Sequence, residues 1–182
     1  MPLPSAKYRS LIDALAAHAH LPPWHMGSQV YPGSAWLEGQ VLQESAGDPR
    51  ARRYEGHLDR VADGDAPGVD DAIWEDDASY GLLQVLGSNL RAMVGVPPGT
   101  RMSFEFALRP AAGLVFGIRH LCDECLQPVD GDVARALARY NGGPRGTSLV
   151  PGPGGRGLVL RRQDYVDAVA GWTRRVAEEQ LL

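Results

Sequence analysis

The chain has 182 residues, 44% of them apolar and 22% charged, which is ordinary for a soluble globular protein with a real core. A formal net charge of −4 excludes the broad cationic footprint of a nucleic-acid-binding surface, and nucleic acid is not an expected partner. Two cysteines exclude a disulfide-rich scaffold, and no uncharged apolar run is long enough to span a bilayer.

The first twenty residues carry no secretory signal, because their apolar run is interrupted by Asp13, His18 and His20. The expectation is a chain made in the cytoplasm. Ser5 can cap a first helix whose stripe is Leu11, Ile12, Leu15 and Ala16, and Pro22-Pro23 stops it. A short connector follows, and Ser34 can cap a second helix that runs to Glu44. Residues 46–78 are the least regular part, rich in Asp, Gly and Arg. A loop of that length inside a compact domain is usually functional or disordered. Helical pattern resumes near Ser79, and Ser88 can cap a short helix to about Val94. Longer helices are expected over residues 110–126, with Pro110 in the first turn, and over residues 130–141. The segment PRGTSLVPGPGGRG (144–157) reads as a loop. A last amphipathic helix, residues 161–179, places Tyr165, Val169 and Trp172 on one face. The pattern predicts a mostly α protein with one domain over residues 34–182 and an N-terminal helical extension over residues 1–33.

Four constellations could carry chemistry. Leu37, Val41 and Glu44 fall at i, i+4 and i+7, so a carboxylate shares an apolar helix face. Burial raises a carboxyl pKa and keeps the acid protonated near neutrality, as a general acid requires. A glutamate that points to solvent, or pairs with Arg50, Arg52 or Arg53, is the plainer alternative. The second is Ser79-Tyr80-Gly81-Leu82-Leu83-Gln84, where Gly81 permits close backbone approach and Gln84 offers a donor and an acceptor. The third is Arg139-Tyr140-Asn141-Gly142-Gly143, an aromatic and an amide at a helix end before a glycine turn. The fourth is Tyr165. Each has an ordinary packing explanation. Cys122-Asp123-Glu124-Cys125 lacks a second close pair for zinc and reads as two ordinary thiols on a helix.

In order and spacing, the four together resemble the lytic transglycosylase family, typified by the soluble lytic transglycosylases and related to goose-type lysozyme. Glu44-Ser45 matches the family's Glu-Ser pair at a helix end. Ser79 to Gln84 matches its Ser-x-Gly-Leu-Met-Gln motif with Leu83 in place of Met, and residues 139–143 match Ala-Tyr-Asn-Ala-Gly with Arg139 and Gly142 as departures. Arg53-Tyr54-Glu55 is similar to phage-type members. The likeness spans residues 34–175. It implies a lysozyme-like fold with little or no β structure and a peptidoglycan glycan strand as substrate. It also implies cleavage between N-acetylmuramic acid and N-acetylglucosamine, with a 1,6-anhydromuramic product. By the same resemblance, Glu44 is the acid and base, and Ser45, Gln84, Tyr140, Tyr165, Ser79 and Tyr54 bind substrate, with Tyr165 within reach of Glu44. No cofactor and no metal are implied. His18, His20 and His25 lie outside the likeness and read as surface residues.

A hydrolysing goose-type muramidase stays open, because Glu55, Asp59, Asp71, Glu75, Asp76 or Asp77 could face Glu44. A carboxylate roughly 6.5–9.5 Å away with room for water would favour inverting hydrolysis. A non-catalytic component that keeps the fold is a third reading. The wall lies outside the membrane and no signal is seen, so delivery in a phage virion, with tail proteins as partners, is the expectation.

Overall fold

The computed structural model describes residues 2–54, 77–97, 102–153 and 157–181. They form six α-helices and seven strands of two or three residues: α1 (Arg9–His18), β1 (Trp24–Met26), β2 (Gln29–Tyr31), α2 (Gly33–Ser45), β3 (Arg52–Tyr54), β4 (Ala78–Tyr80), β5 (Val85–Leu86), α3 (Gly87–Val94), α4 (Pro110–His120), α5 (Val133–Gly142), β6 (Leu149–Pro151), β7 (Leu158–Leu160) and α6 (Gln163–Gln180). The chain divides into two compact units, Met1–Gln43 with Ile118–Leu182, and Glu44–Gly117. The division expected between residues 33 and 34 falls inside the first unit, at the start of α2.

In the first unit, the Ala- and Leu-rich α1 buries Ile12 and Ala16, one turn apart. Ser5 does not cap it. Its hydroxyl instead donates to the Glu38 carboxylate at 2.7 Å, and Arg9 donates to both oxygens of the same group at 2.9 Å. Glu38 is 1% exposed, and the paired arginine and hydroxyl are what make that burial tolerable. Arg9 also reaches Glu179 on α6, whose carboxylate accepts from the Leu3 amide. The first residues are thereby tied to both α2 and α6.

The expected connector before α2 is instead a hairpin, β1–β2, closed by Gly27-Ser28 with Gly27 in the left-handed region at φ +63°. A glycine-serine pair between Trp-His-Met and Gln-Val-Tyr is a hairpin signal that periodicity alone does not register. From Ala35 to Leu42 every residue of α2 is buried. It packs against α6 so closely at Gly39 that an added Cβ would stand 2.7 Å from Thr173 Oγ1. Tyr31, Ala35, Leu42 and Val176 form one core cluster, with Trp172 packed against it. On α6, Tyr165 and Val169 are buried as their spacing predicts. The glycine- and proline-rich segment predicted as a loop is only partly one: Leu149–Pro151 pairs antiparallel with Leu158–Leu160. Leu149 and Val150 suit a strand, Pro151 stands at its end, and their partners lie seven or more residues on, a pairing that turn propensity does not reveal.

In the second unit, β3, β4 and β5 form a small antiparallel sheet in which Arg53 faces Ser79 and Tyr54 faces Ala78. Ser79 therefore lies in a strand, not at a helix start. Its neighbours pair with a segment about 25 residues earlier, and that long-range pairing overrides local pattern. Ser88 is also not a cap: α3 starts one residue earlier, with Leu86 at its N-cap position. On α4, Gly113 and Gly117 are one turn apart and face the turn after β4. A Cβ on Gly113 would stand 2.6 Å from the Ala107 carbonyl oxygen, and one on Gly117 would stand 2.4 Å from the Leu83 side chain. Two glycines in a helix interior cost about 1 kcal/mol each, and this close approach is what they permit.

Candidate active site

α2 ends at Ser45, followed by Ala46 at φ +51° and Gly47 at φ +76°. Two left-handed residues in a row turn the chain sharply away from the helix axis, and Ala46 adopts this conformation without being glycine. Glu44, half-buried, sits in the last helical turn just before this break. Leu37 and Val41 on its row are fully buried, as their spacing predicts. The apolar row does not single out Glu44, however. Nearly the whole of α2 is enclosed, so its buried positions have no polar face to contrast with. The fully buried acid on this helix is Glu38, which periodicity missed; its signal would have been an arginine elsewhere able to pair with it.

From Ser45 onward, hydrogen bonds close a ring. The Ser45 hydroxyl is buried and donates to the Leu82 carbonyl at 3.0 Å. The Ser45 carbonyl accepts from the Asp48 amide at 3.0 Å, and the Asp48 carbonyl accepts from the Ala51 amide at 3.2 Å. The Asp48 carboxylate accepts from the Arg50 amide at 2.9 Å, the local bond that suits aspartate to a turn. The Ala51 carbonyl then accepts from the Gly81 amide and from the Gln84 side chain, both at 2.9 Å. Residues 81–84 complete the circuit back to Leu82. The end of α2 and the Ser79–Gln84 motif, about 35 residues apart in sequence, thus form one braced structure.

Within the ring, Gly81 has φ +75°, and a Cβ there would lie 2.3 Å from the Ala107 carbonyl oxygen. No other residue type fits. Gln84 is buried at φ +48°, and its amide nitrogen donates to both the Ala51 and the Gly81 carbonyls at 2.9 Å. Both of its side-chain hydrogens are spent on backbone. Ser79 is buried in β4, and Tyr54 is 38% exposed at the end of β3. Arg52 lies over the Tyr80 ring, 5.2 Å from its centre, on the neighbouring strand. Of the carboxylates that could stand opposite Glu44, Asp77 is described, half-buried just before β4. Glu55, Asp59, Asp71, Glu75 and Asp76 lie outside the described residues.

Tyr140 and Tyr165 belong to the other unit. Tyr165 is buried in the first turn of α6. Tyr140 is half-buried in the last turn of α5, whose N-cap Asp132 accepts from the Arg135 amide at 3.1 Å. Arg139, a departure from the family's Ala-Tyr-Asn-Ala-Gly, is tied down. Its Nε donates to the Glu124 carbonyl. Cys122 and Cys125 lie in a π-helical turn, Leu121–Leu126, that continues α4. Burial pushes both thiols up, that of Cys125 to about 12. His18, His20 and His25 are exposed.

No family model matches the chain. Over 101 residues, 55% of this chain, it is 36% identical to a homoserine O-succinyltransferase of Xanthomonas campestris pv. campestris, of which it covers 26%. Its structure is similar to that of an inactive mutant of the lytic transglycosylase Slt from Pseudomonas aeruginosa. That likeness has a TM-score of 0.60 and 19% identity, and covers 98% of this chain and 25% of that one. The chain therefore spans about a quarter of the length of each of these two proteins. The second likeness is one of fold: the chain is mostly helical and lysozyme-like. Among the described residues, no helix is long and apolar enough to cross a membrane.

Proposed function

We propose that this chain is a peptidoglycan lytic transglycosylase domain in which Glu44 is the single acid and base. The observation that carries the reading is the hydrogen-bonded ring joining Ser45 to residues 81–84. It fixes the residue next to Glu44 to the very motif that the resemblance pairs with it, in a chain whose fold resembles a lytic transglycosylase over almost its whole length. Left-handed Ala46 and Gln84 add to it, because strain in non-glycine residues is retained where a site needs it.

In this reading, Glu44 protonates the oxygen between N-acetylmuramic acid and N-acetylglucosamine. The resulting carboxylate takes the proton from the muramic 6-hydroxyl as that oxygen closes on C1, leaving a 1,6-anhydromuramic end. Ser45 is enclosed and holds the ring, and Ser79, enclosed in β4, holds the strand that leads into it. Gln84, with its nitrogen committed, offers a ligand its amide oxygen. Tyr54, Tyr140 and Tyr165 bind glycan. Delivery in a phage virion, with tail proteins as partners, is the proposed route to the wall and rests on Arg53-Tyr54-Glu55.

Acyl transfer, suggested by the succinyltransferase likeness, needs an activated nucleophile. The two thiols point the other way, since burial raises both and suppresses the thiolate.

The test is mass analysis of products released from purified peptidoglycan by the wild type and by Glu44→Gln. Anhydro ends from the wild type, with a loss of about 10²–10⁴-fold in the variant, are expected. Hydrated ends would replace transglycosylation with muramidase hydrolysis. No release by the wild type would end the enzymatic reading and leave the non-catalytic one.

A further inference from the structure

His120, the last residue of α4, meets the ring of Tyr140 edge-on, with ring centres 5.3 Å apart and planes at 69°. The neighbouring Arg139 bonds the Glu124 carbonyl. Consecutive side chains of α5 are thus fastened to residues 120 and 124. The platform is itself anchored, with Leu121, Cys125 and Leu126 buried. Helix α5 does not depend on the ring pair for its place, because Val133, Ala136, Leu137 and Ala138 are already buried. The pair acts on the Tyr140 ring itself, in the last turn before Gly143 breaks the helix at φ +58°.

We propose that His120 is a positioning residue that holds the Tyr140 ring ready for glycan, an inference that rests on the proposed role of Tyr140. Edge-on aromatic pairs prefer this separation and tilt. Burial also lowers the His120 pKa, so near neutrality the ring is uncharged and can pack as an aromatic. A pre-set ring spares the binding step the cost of ordering it.

The experiment compares peptidoglycan cleavage kinetics for the wild type, Tyr140→Ala, His120→Ala, His120→Phe and the double alanine variant, with thermal melts of each. His120→Ala should raise KM roughly three- to tenfold and change kcat less. His120→Phe, which keeps an aromatic edge, should recover most of the loss. On the Tyr140→Ala background, His120→Ala should add nothing, because both changes remove one interaction. Additive losses, or failure of phenylalanine to restore KM, would overturn the inference while leaving the activity intact. An active wild type indifferent to Tyr140→Ala would do the same. A wild type that releases nothing removes the activity and this inference with it.

Discussion

Ser45 Oγ donates to the Leu82 carbonyl at 3.0 Å, so the residue beside Glu44 is bonded directly to the turn that carries Gln84. Both groups are buried. Ser45→Ala would leave the Leu82 carbonyl without this donor, which should cost about 1–3 kcal/mol. Urea unfolding checks it: the midpoint should fall with an unchanged slope. A variant as stable as the wild type would show that the ring does not brace the site.

Two backbone positions on the ring should respond in opposite directions. Gly81→Ala puts a side chain at φ +75° and against the Ala107 carbonyl, and should destabilise by about 2 kcal/mol or more. Ala46→Gly relieves a left-handed alanine at φ +51° and should stabilise by about 1 kcal/mol. Thermal melts of the two proteins give the comparison. If Ala46→Gly lowers activity while raising Tm, the strain serves the site.

The Arg9–Glu38 pair is asymmetric, with the arginine side chain 22% exposed and the glutamate 1%. Arg9→Met leaves a buried carboxylate without its cation, held by the Ser5 hydroxyl, and should cost about 3–5 kcal/mol. Glu38→Gln should cost less, because it removes the charge that needs pairing. Chemical denaturation of both variants orders them; the reverse order would mean that the pair is not what tolerates the burial.

His120 gives stability a pH dependence. Desolvation is the largest influence and lowers its pKa below 6.5, opposed by Glu124 and Asp123 and reinforced by Arg139. The unfolded chain then binds the proton more readily than the folded one. Stability should fall as pH drops through 6.5 and on through the lowered folded-state value, and the slope from this group fades within about one pH unit above 6.5. Unfolding free energies at about pH 5.5 and about pH 7.5 should differ less in His120→Phe than in the wild type.

By itself the sequence determined most of the longer helices. α2, α5 and α6 lie within a few residues of their predicted spans, and α4 reaches residue 126 only through its π-helical turn, because a helix is built from contacts three and four residues apart. It also marked Glu44, Ser45 and residues 79–84 as belonging together by likeness of motif. Tertiary structure decided the partners. Ser79 entered a strand because Arg53 lies opposite it, Ser5 left its cap for Glu38, and Glu38 became a buried acid because Arg9 reaches it from another helix. It also spent both amide hydrogens of Gln84 on Ala51 and Gly81, turning a residue read as a free ligand donor into part of a brace. Local pattern fixes which conformation a segment prefers. Which atom satisfies a buried polar group depends on chain brought from 29 to 37 residues away, and only the folded structure supplies it.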